Sequence, residues 1–406
     1  MASGSVASSP QGGSDAVGVP AGYGTARLLL LFSAVGIIYG SLYPFRFEFA
    51  PMALSDAAEV LLTDWRGEFR PVNVLTNVLL FVPYGLFGAV ALAAWHWLPR
   101  WLLLYLSAAV IAFGLQVAQL WLPGRVPTFA DGAINMVGTV AGATIARLPG
   151  VHALMTHTGR HARQALALPF LLMLCWVAYR WFPFVPSVDV FSIKDGLRPL
   201  LLEPELRPLD AFHNAVAWIV FACLWEQCRL SWWWLWLVIP GVVVAQVGIT
   251  ANPLVLHNVM GAAAALLVWT GLRYGFRRPI EPVILLLLAM LVVQGLRPFE
   301  LAQGAFLWLP FQGFLHGNMT VNLLSLIEKL FLYGSLVWLT LEASQSRVTA
   351  LLLPAVMVAG IEIAQIWIAS RTAEITDPLL CVAFWGVAMV AWRPYAQRRQ
   401  AAVTSP

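Results

Sequence analysis

Twelve apolar runs divide this chain, at 26–43, 72–94, 101–121, 131–147, 165–182, 209–227, 232–250, 254–272, 280–296, 321–341, 348–368 and 376–392. Most approach the roughly 20 residues that a helix needs to cross a bilayer. In hydrocarbon each backbone N–H and C=O has to be satisfied inside its own segment, which restricts such runs to helices. The residues are 60% hydrophobic and only 11% charged, whereas soluble domains carry about 25% charge. The expected fold class is therefore all-α, a polytopic transmembrane helical bundle of about twelve spans. Nineteen Trp suit a chain with many bilayer interfaces, where an indole keeps one end dry and the other wet.

The same numbers exclude several functions. A net charge of +4, scattered over loops, argues against a nucleic-acid partner. Cys175, Cys223, Cys228 and Cys381 lie in or beside apolar runs without CxxC spacing, so they read as buried thiols. His213, His257 and His316 lack ligand spacing, and no cofactor or metal is expected. No nucleophile elbow, zinc-protease helix, P-loop or dinucleotide fingerprint is present.

Basic clusters follow every fourth run: Arg147, Arg160 and Arg163, then Arg273, Arg277 and Arg278, then Arg393, Arg398 and Arg399. The positive-inside rule places these on the cytoplasmic side, with both termini. Most acidic residues then fall on the opposite side. The period of four runs suggests three four-helix parallel repeats at 26–150, 165–275 and 280–393, between a disordered tail at 1–25 and a second tail at 394–406. Asn135, Asn258 and Cys381 hold matching places, 123 residues apart each time (258 − 135 and 381 − 258). The first run of each repeat ends in Pro-Phe, at Pro44-Phe45, Pro183-Phe184 and Pro298-Phe299. After the first of these, 52–65 has the apolar spacing of a helix lying in the outer interface.

Two polar ladders stand out because polar groups are costly between apolar runs. One reads Gln116, Gln119, Arg125, Asp131, Asn135; the other reads Glu362, Gln365, Arg371, Asp377, Cys381. The steps are three, six, six and four residues in both. Gln116 and Gln119 share one helix face. Asn135, Gly138 and Gly142 share another, where glycines admit a neighbouring backbone. Two readings stand. In the structural one, Asp131 and Asp377 cap their helices, the arginines pair with those aspartates, and Gln119 and Asn135 join helices. In the functional one, Asn77, Gln119, Arg125, Asp131, Asn135, Glu362, Gln365, Arg371 and Asp377 bind a substrate, with guanidiniums suited to phosphate or carboxylate. Asn77 is expected to meet Gln119. Glu328 and Lys329, adjacent at membrane depth, are either a functional pair or internally compensated, through Glu362 or another helix.

Asn77-Val78-Leu79-Leu80-Phe81-Val82-Pro83-Tyr84-Gly85, followed by Gln119, Arg125, Asp131, Asn135, Gly138 and Gly142, resembles the VanZ-like family of bacterial membrane proteins. The family pattern is N-x-x-L-F-x-P-x-G, then E-x-x-Q, R and D-x-x-x-N-x-x-G. Gln116 replaces its glutamate; the last repeat restores this as Glu362 but replaces the asparagine with Cys381. Glu328-Lys329 with Tyr333 is similar to the family's D-K-x-x-H-F-x-x-Y variant. The middle repeat keeps Asn258 and Gly261, has Leu254 in place of the aspartate, and lacks a matching arginine. The resemblance implies a multi-pass protein of the bacterial inner membrane and cell envelope, in a family associated with teicoplanin resistance and found near exopolysaccharide and protein-sorting systems. The function expected is binding or processing of an anionic lipid-linked precursor, a lipid-linked glycan or another phosphate-bearing molecule. A transporter or flippase, and a non-enzymatic scaffold, are the alternatives. Whether the protein is an enzyme stays open.

Overall fold

The computed structural model describes residues 21–43, 45–49, 53–63, 71–123, 125, 127–148, 151, 167–187, 189–250, 252–316 and 319–404. The expectations for 1–20, for 52 and 64–65, and for Arg160 and Arg163 lie outside these residues. All twelve apolar runs fold as helices. The first stretch contains α1 (Ala21–Leu42), a short α2 (Leu54–Thr63), α3 (Pro71–Ala91), α4 (Trp97–Gln119) and α5 (Phe129–Ile145). The middle stretch contains α6 (Ala167–Trp181), α7 (Val190–Leu201), α8 (Pro208–Gln227), α9 (Leu235–Ala245) and α10 (Leu256–Gly275). The last contains α11 (Ile280–Leu296), α12 (Gln312–His316), α13 (Met319–Ser344), α14 (Arg347–Gln365) and α15 (Thr376–Thr404). Helix α15 runs on through the residues expected to form the second tail.

Five of these helices are long and apolar enough to cross a membrane, within Val74–Ala91, Trp97–Gln119, Pro208–Gln227, Val321–Ser344 and Arg347–Gln365. Shorter apolar helices accompany them, and the chain is a multi-pass membrane protein. The all-α expectation needs one small amendment. Phe306–Leu307 (β1) pairs in parallel with Ala373–Glu374 (β2), tying the loop after α11 to the loop before α15.

Two cores form. The first is built on Phe81, Leu104, Ala108, Ala112 and Ala143, within α3, α4 and α5. The second runs without a break from the middle stretch into the last, joining Trp176, Trp218 and Trp269 to Phe331 and Trp338. Helix α13 packs on α6, and α11 packs on α8. The first stretch reaches the last through α1 against α15, and through Tyr39, whose hydroxyl donates to the Pro310 carbonyl.

Small residues decide the closest packing. A Cβ on Gly138 would overlap the Val78 carbonyl, and one on Gly142 the Val82 carbonyl. Backbones of α3 and α5 therefore touch along the glycine face that the sequence displays.

Candidate functional site

The loop ends of α1, α6 and α11 finish in the same turn. Phe45, Phe184 and Phe299 take left-handed φ values of 59°, 62° and 69°. Their N–H groups donate to Leu42, Trp181 and Leu296 at 2.9, 2.8 and 2.9 Å. Beyond the turn, the N–H groups of Glu48, Ser187 and Ala302 donate to the carbonyls of Trp121, Gly248 and Trp367 at 2.8, 2.9 and 3.1 Å. The chain leaving each of these helices is thus strapped to the residues that follow α4, α9 and α14.

The ladder glutamines complete the strap. Gln119 Nε2 donates to the Ser41 carbonyl at 2.8 Å, and Gln365 Nε2 to Gly295 at 3.1 Å. Gln246 Nε2 donates to Arg180 at 2.9 Å. Ser41, Arg180 and Gly295 each stand three residues before the proline of their turn, so one hydrogen bond recurs three times. Sequence reasoning missed Gln246; its separation from Gln119 and Gln365, 127 and 119 residues, was the available signal. Six residues past each glutamine, a side chain reaches the carbonyl just before the proline. Arg125 NH2 approaches Tyr43 at 3.4 Å, Asn252 Nδ2 approaches Phe182 at 3.3 Å, and Arg371 Nε donates to Arg297 at 2.6 Å. Arg371 NH2 also donates to Gln294. These groups satisfy carbonyls that a helix end leaves without intrahelical donors.

That corrects the structural expectation for the arginines. Arg125 and Arg371 bond to carbonyls and do not pair with Asp131 or Asp377. Both remain exposed. Desolvation by the bundle, and then the neighbouring positive charge of Arg297, hold Arg371 below the usual guanidinium range. Arg297 itself is ion-paired with Asp210.

The acid or amide at the head of each ladder has a second task. Gln116 Oε1 accepts the Thr128 N–H at 3.1 Å, and Glu362 Oε2 accepts the Glu374 N–H at 2.7 Å. Both are buried. Thr128, not Asp131, caps α5: its hydroxyl accepts the Asp131 N–H at 3.1 Å and donates to Asp131 Oδ2 at 3.0 Å. Asp377 likewise sits inside the first turn of α15, not at its cap.

The two aspartates then diverge. Asp131 Oδ1 accepts from Asn77 Nδ2 at 2.9 Å, so Asn77 meets Asp131 and not Gln119. Asp377 takes Lys329 Nζ at 2.7 Å and Tyr333 OH at 2.6 Å. Glu328, next to Lys329, points elsewhere, 2.8 Å from His213 Nε2 on α8. Glu328 and Lys329 are thus not a pair, and neither bonds to Glu362. Asn135 is buried, and its Oδ1 has no hydrogen-bond partner. Cys381 takes the corresponding place, also buried.

In the middle stretch Arg180 fills the space with amides: NH1 donates to Asn214 Oδ1 at 3.0 Å and NH2 to Gln246 Oε1 at 2.9 Å. Replacing Gln246 with Leu would leave this buried guanidinium short of an acceptor, while the Arg180 carbonyl keeps its Asn252 donor at 2.6 Å. The expected loss is about 2 kcal/mol of stability, read from thermal melts in detergent.

Among the described residues no group of three His, Cys, Asp or Glu is placed to hold a metal ion. Beside the Asp377 cluster, burial holds the loop residue Glu374 above the ordinary carboxylate range, opposed by the Gly313 N–H and by Lys329.

A family model described as VanZ/LLP1 matches residues 18–150. The chain carries a VanZ-like unit. That unit spans α1 to α5, with the Asn77–Asp131 bond, the Gln119 strap and the glycine seam inside it. No curated protein and no solved structure matches the chain.

Proposed function

We propose that this VanZ-like membrane protein binds the anionic headgroup of a lipid-linked envelope precursor at its extracytoplasmic face. On this reading the strapped ends of α1, α6 and α11 face outward, and the three stretches are related units of one bundle. The observation that carries it is Arg371, exposed at the loop end with its guanidinium held in place by the Arg297 and Gln294 carbonyls. An anion placed there would use the guanidinium N–H groups that the carbonyls leave over. Exposed Arg125 offers the same chemistry in the first unit. Apolar side chains exposed beside the loops, Phe299, Leu301 and Trp308, suit a ligand with a lipid tail. Binding is the activity proposed.

Alanine at these arginines would mix loss of charge with loss of a strut. Asparagine separates the two, because Asn252 already serves the same carbonyl in the middle unit. Lipid-linked intermediates are to be measured by mass spectrometry in cells lacking the protein. The null is then restored with wild type or with Arg125→Asn plus Arg371→Asn at matched abundance. The expected result is an anionic intermediate that accumulates in the null, clears with wild type and persists with the double variant. A double variant that clears it as wild type does would reduce the arginines to struts and remove this reading.

A further inference from the structure

At the helix ends away from the straps, the VanZ-like unit gathers two positive charges on one indole. Arg100 lies in the first turn of α4, and Arg147 follows α5. Their guanidinium carbons stand 4.6 and 4.3 Å from the Trp101 ring centroid. At such distances the electron-rich ring face holds a guanidinium. Arg100 NH2 also donates to the Ala89 carbonyl at 2.6 Å, near the end of α3, which fixes its plane. Tyr105, one turn further along α4, stacks on the same indole at 5.8 Å. Arg147 is exposed. The surrounding chain supplies no negative charge at this end. Between Glu68 and Asp189 the only acidic residue is Asp131, in the first turn of α5 and so at the other end of that helix. The middle stretch shows the contrast: Arg273 lies over Trp232 at 5.2 Å, but Glu226 takes up its charge.

We propose that Arg100, Arg147 and Trp101 form a binding site for the phosphate headgroup of an anionic phospholipid, in the leaflet away from the straps. A guanidinium stacked on an indole keeps its in-plane N–H groups for phosphate oxygens. A phosphate beside Trp101 is within reach of both arginines and offsets two like charges held on the same ring. The surroundings select a lipid over a soluble anion. Trp95, Trp97, Leu98 and Leu102 are exposed around the start of α4. Indoles there settle at headgroup depth, and the leucines meet acyl chains. Basic side chains at a membrane surface attract anionic lipids, and two of them fixed on one platform turn that attraction into a defined site. The site is at the opposite end of α4 and α5 from Arg125 and Asp131, so it does not rest on precursor binding at the straps.

The test is native mass spectrometry of the full chain released from nanodiscs of equal parts phosphatidylglycerol and phosphatidylcholine. Wild type is expected to keep phosphatidylglycerol in preference, and to keep it in excess glycerol phosphate, a soluble anion with the same phosphate chemistry. Arg147→Gln changes an exposed side chain and should fold; it is expected to weaken retention about fivefold, and Arg100→Gln plus Arg147→Gln about thirtyfold. Arg147→Lys keeps the charge without the planar fork and should fall between wild type and Arg147→Gln. Arg277→Gln, exposed beyond the corresponding end of α10, should retain the lipid as wild type does. Equal retention of the two lipids by wild type, displacement by glycerol phosphate, or wild-type retention in the double variant would each overturn the proposal. So would an equal loss in Arg277→Gln, which would assign the preference to surface charge in general.

Discussion

Gly142→Ala is expected to destabilise the packing of the VanZ-like unit by about 2 kcal/mol. A Cβ at this position would overlap the Val82 carbonyl oxygen and crowd the Leu86 nitrogen. Both are backbone atoms of α3, so no side-chain rotation relieves the clash. The helices have to separate along a seam where they now touch, and Gly138 faces the same problem against Val78. Alanine raises intrinsic helix propensity by about 1 kcal/mol over glycine. Overpacking against rigid neighbours costs about 3 kcal/mol, the upper end of the usual range. The clash therefore wins by about 2 kcal/mol, and a lower melting temperature with loss of monodisperse protein in detergent is the expected readout. The comparison that isolates the cause is Gly360→Ala in α14, where a Cβ would meet nothing within 4 Å. That variant should melt no lower than wild type. Equal losses at the two positions would show that glycine as such, and not the close approach, matters.

Asp377→Ala carries the second large effect. Its carboxylate is buried and holds both the Lys329 ammonium and the Tyr333 hydroxyl. Removing one partner of a buried ion pair costs about 3–5 kcal/mol, because the other charge is left without compensation. Lys329 is 37% exposed and can turn partly toward solvent, which favours the lower end, about 3 kcal/mol. Adding Lys329→Met to Asp377→Ala should recover most of that loss, since no stranded ammonium remains. A double-mutant cycle on thermal stability measures the coupling directly. Additive losses would mean that the two side chains do not depend on each other. Asp131→Ala in the VanZ-like unit should cost less, about 1 kcal/mol, because Asn77 and Thr128 are neutral partners.

The ladder spacing marked residues that the structure gathers at helix ends but misassigned their bonds. Periodicity along a helix states which residues share a face, and that was enough to group Gln116 with Gln119 and Asn135 with Gly138 and Gly142. It says nothing about the group across the gap. The arginines were expected on aspartates because opposite charges are the obvious partners. They lie instead on helix-end carbonyls, which every helix possesses and no sequence pattern marks. Glu328 and Lys329 illustrate the same limit. Adjacent residues in a helix diverge by about a quarter-turn, so one pairs with His213 on α8 and its neighbour with Asp377 on α15. The middle stretch lacks the ladder arginine. Asn252 reaches the same carbonyl, a substitution visible only once the backbone places the two together.

The sequence by itself determined that the chain is helical, that it lies in a membrane, where its glycine seam runs, and that a VanZ-like pattern occupies its first third. Each follows from local constraints: apolar length, helical periodicity and the absence of a Cβ. Only the tertiary structure decided that the middle and last stretches share one core, that the ladder glutamines and arginines strap helix ends, and that Asp377 takes Lys329 and Tyr333. Those outcomes depend on distances between residues far apart in the chain. They are set by how whole helices pack, and buried polar groups take whichever partners that packing brings within reach.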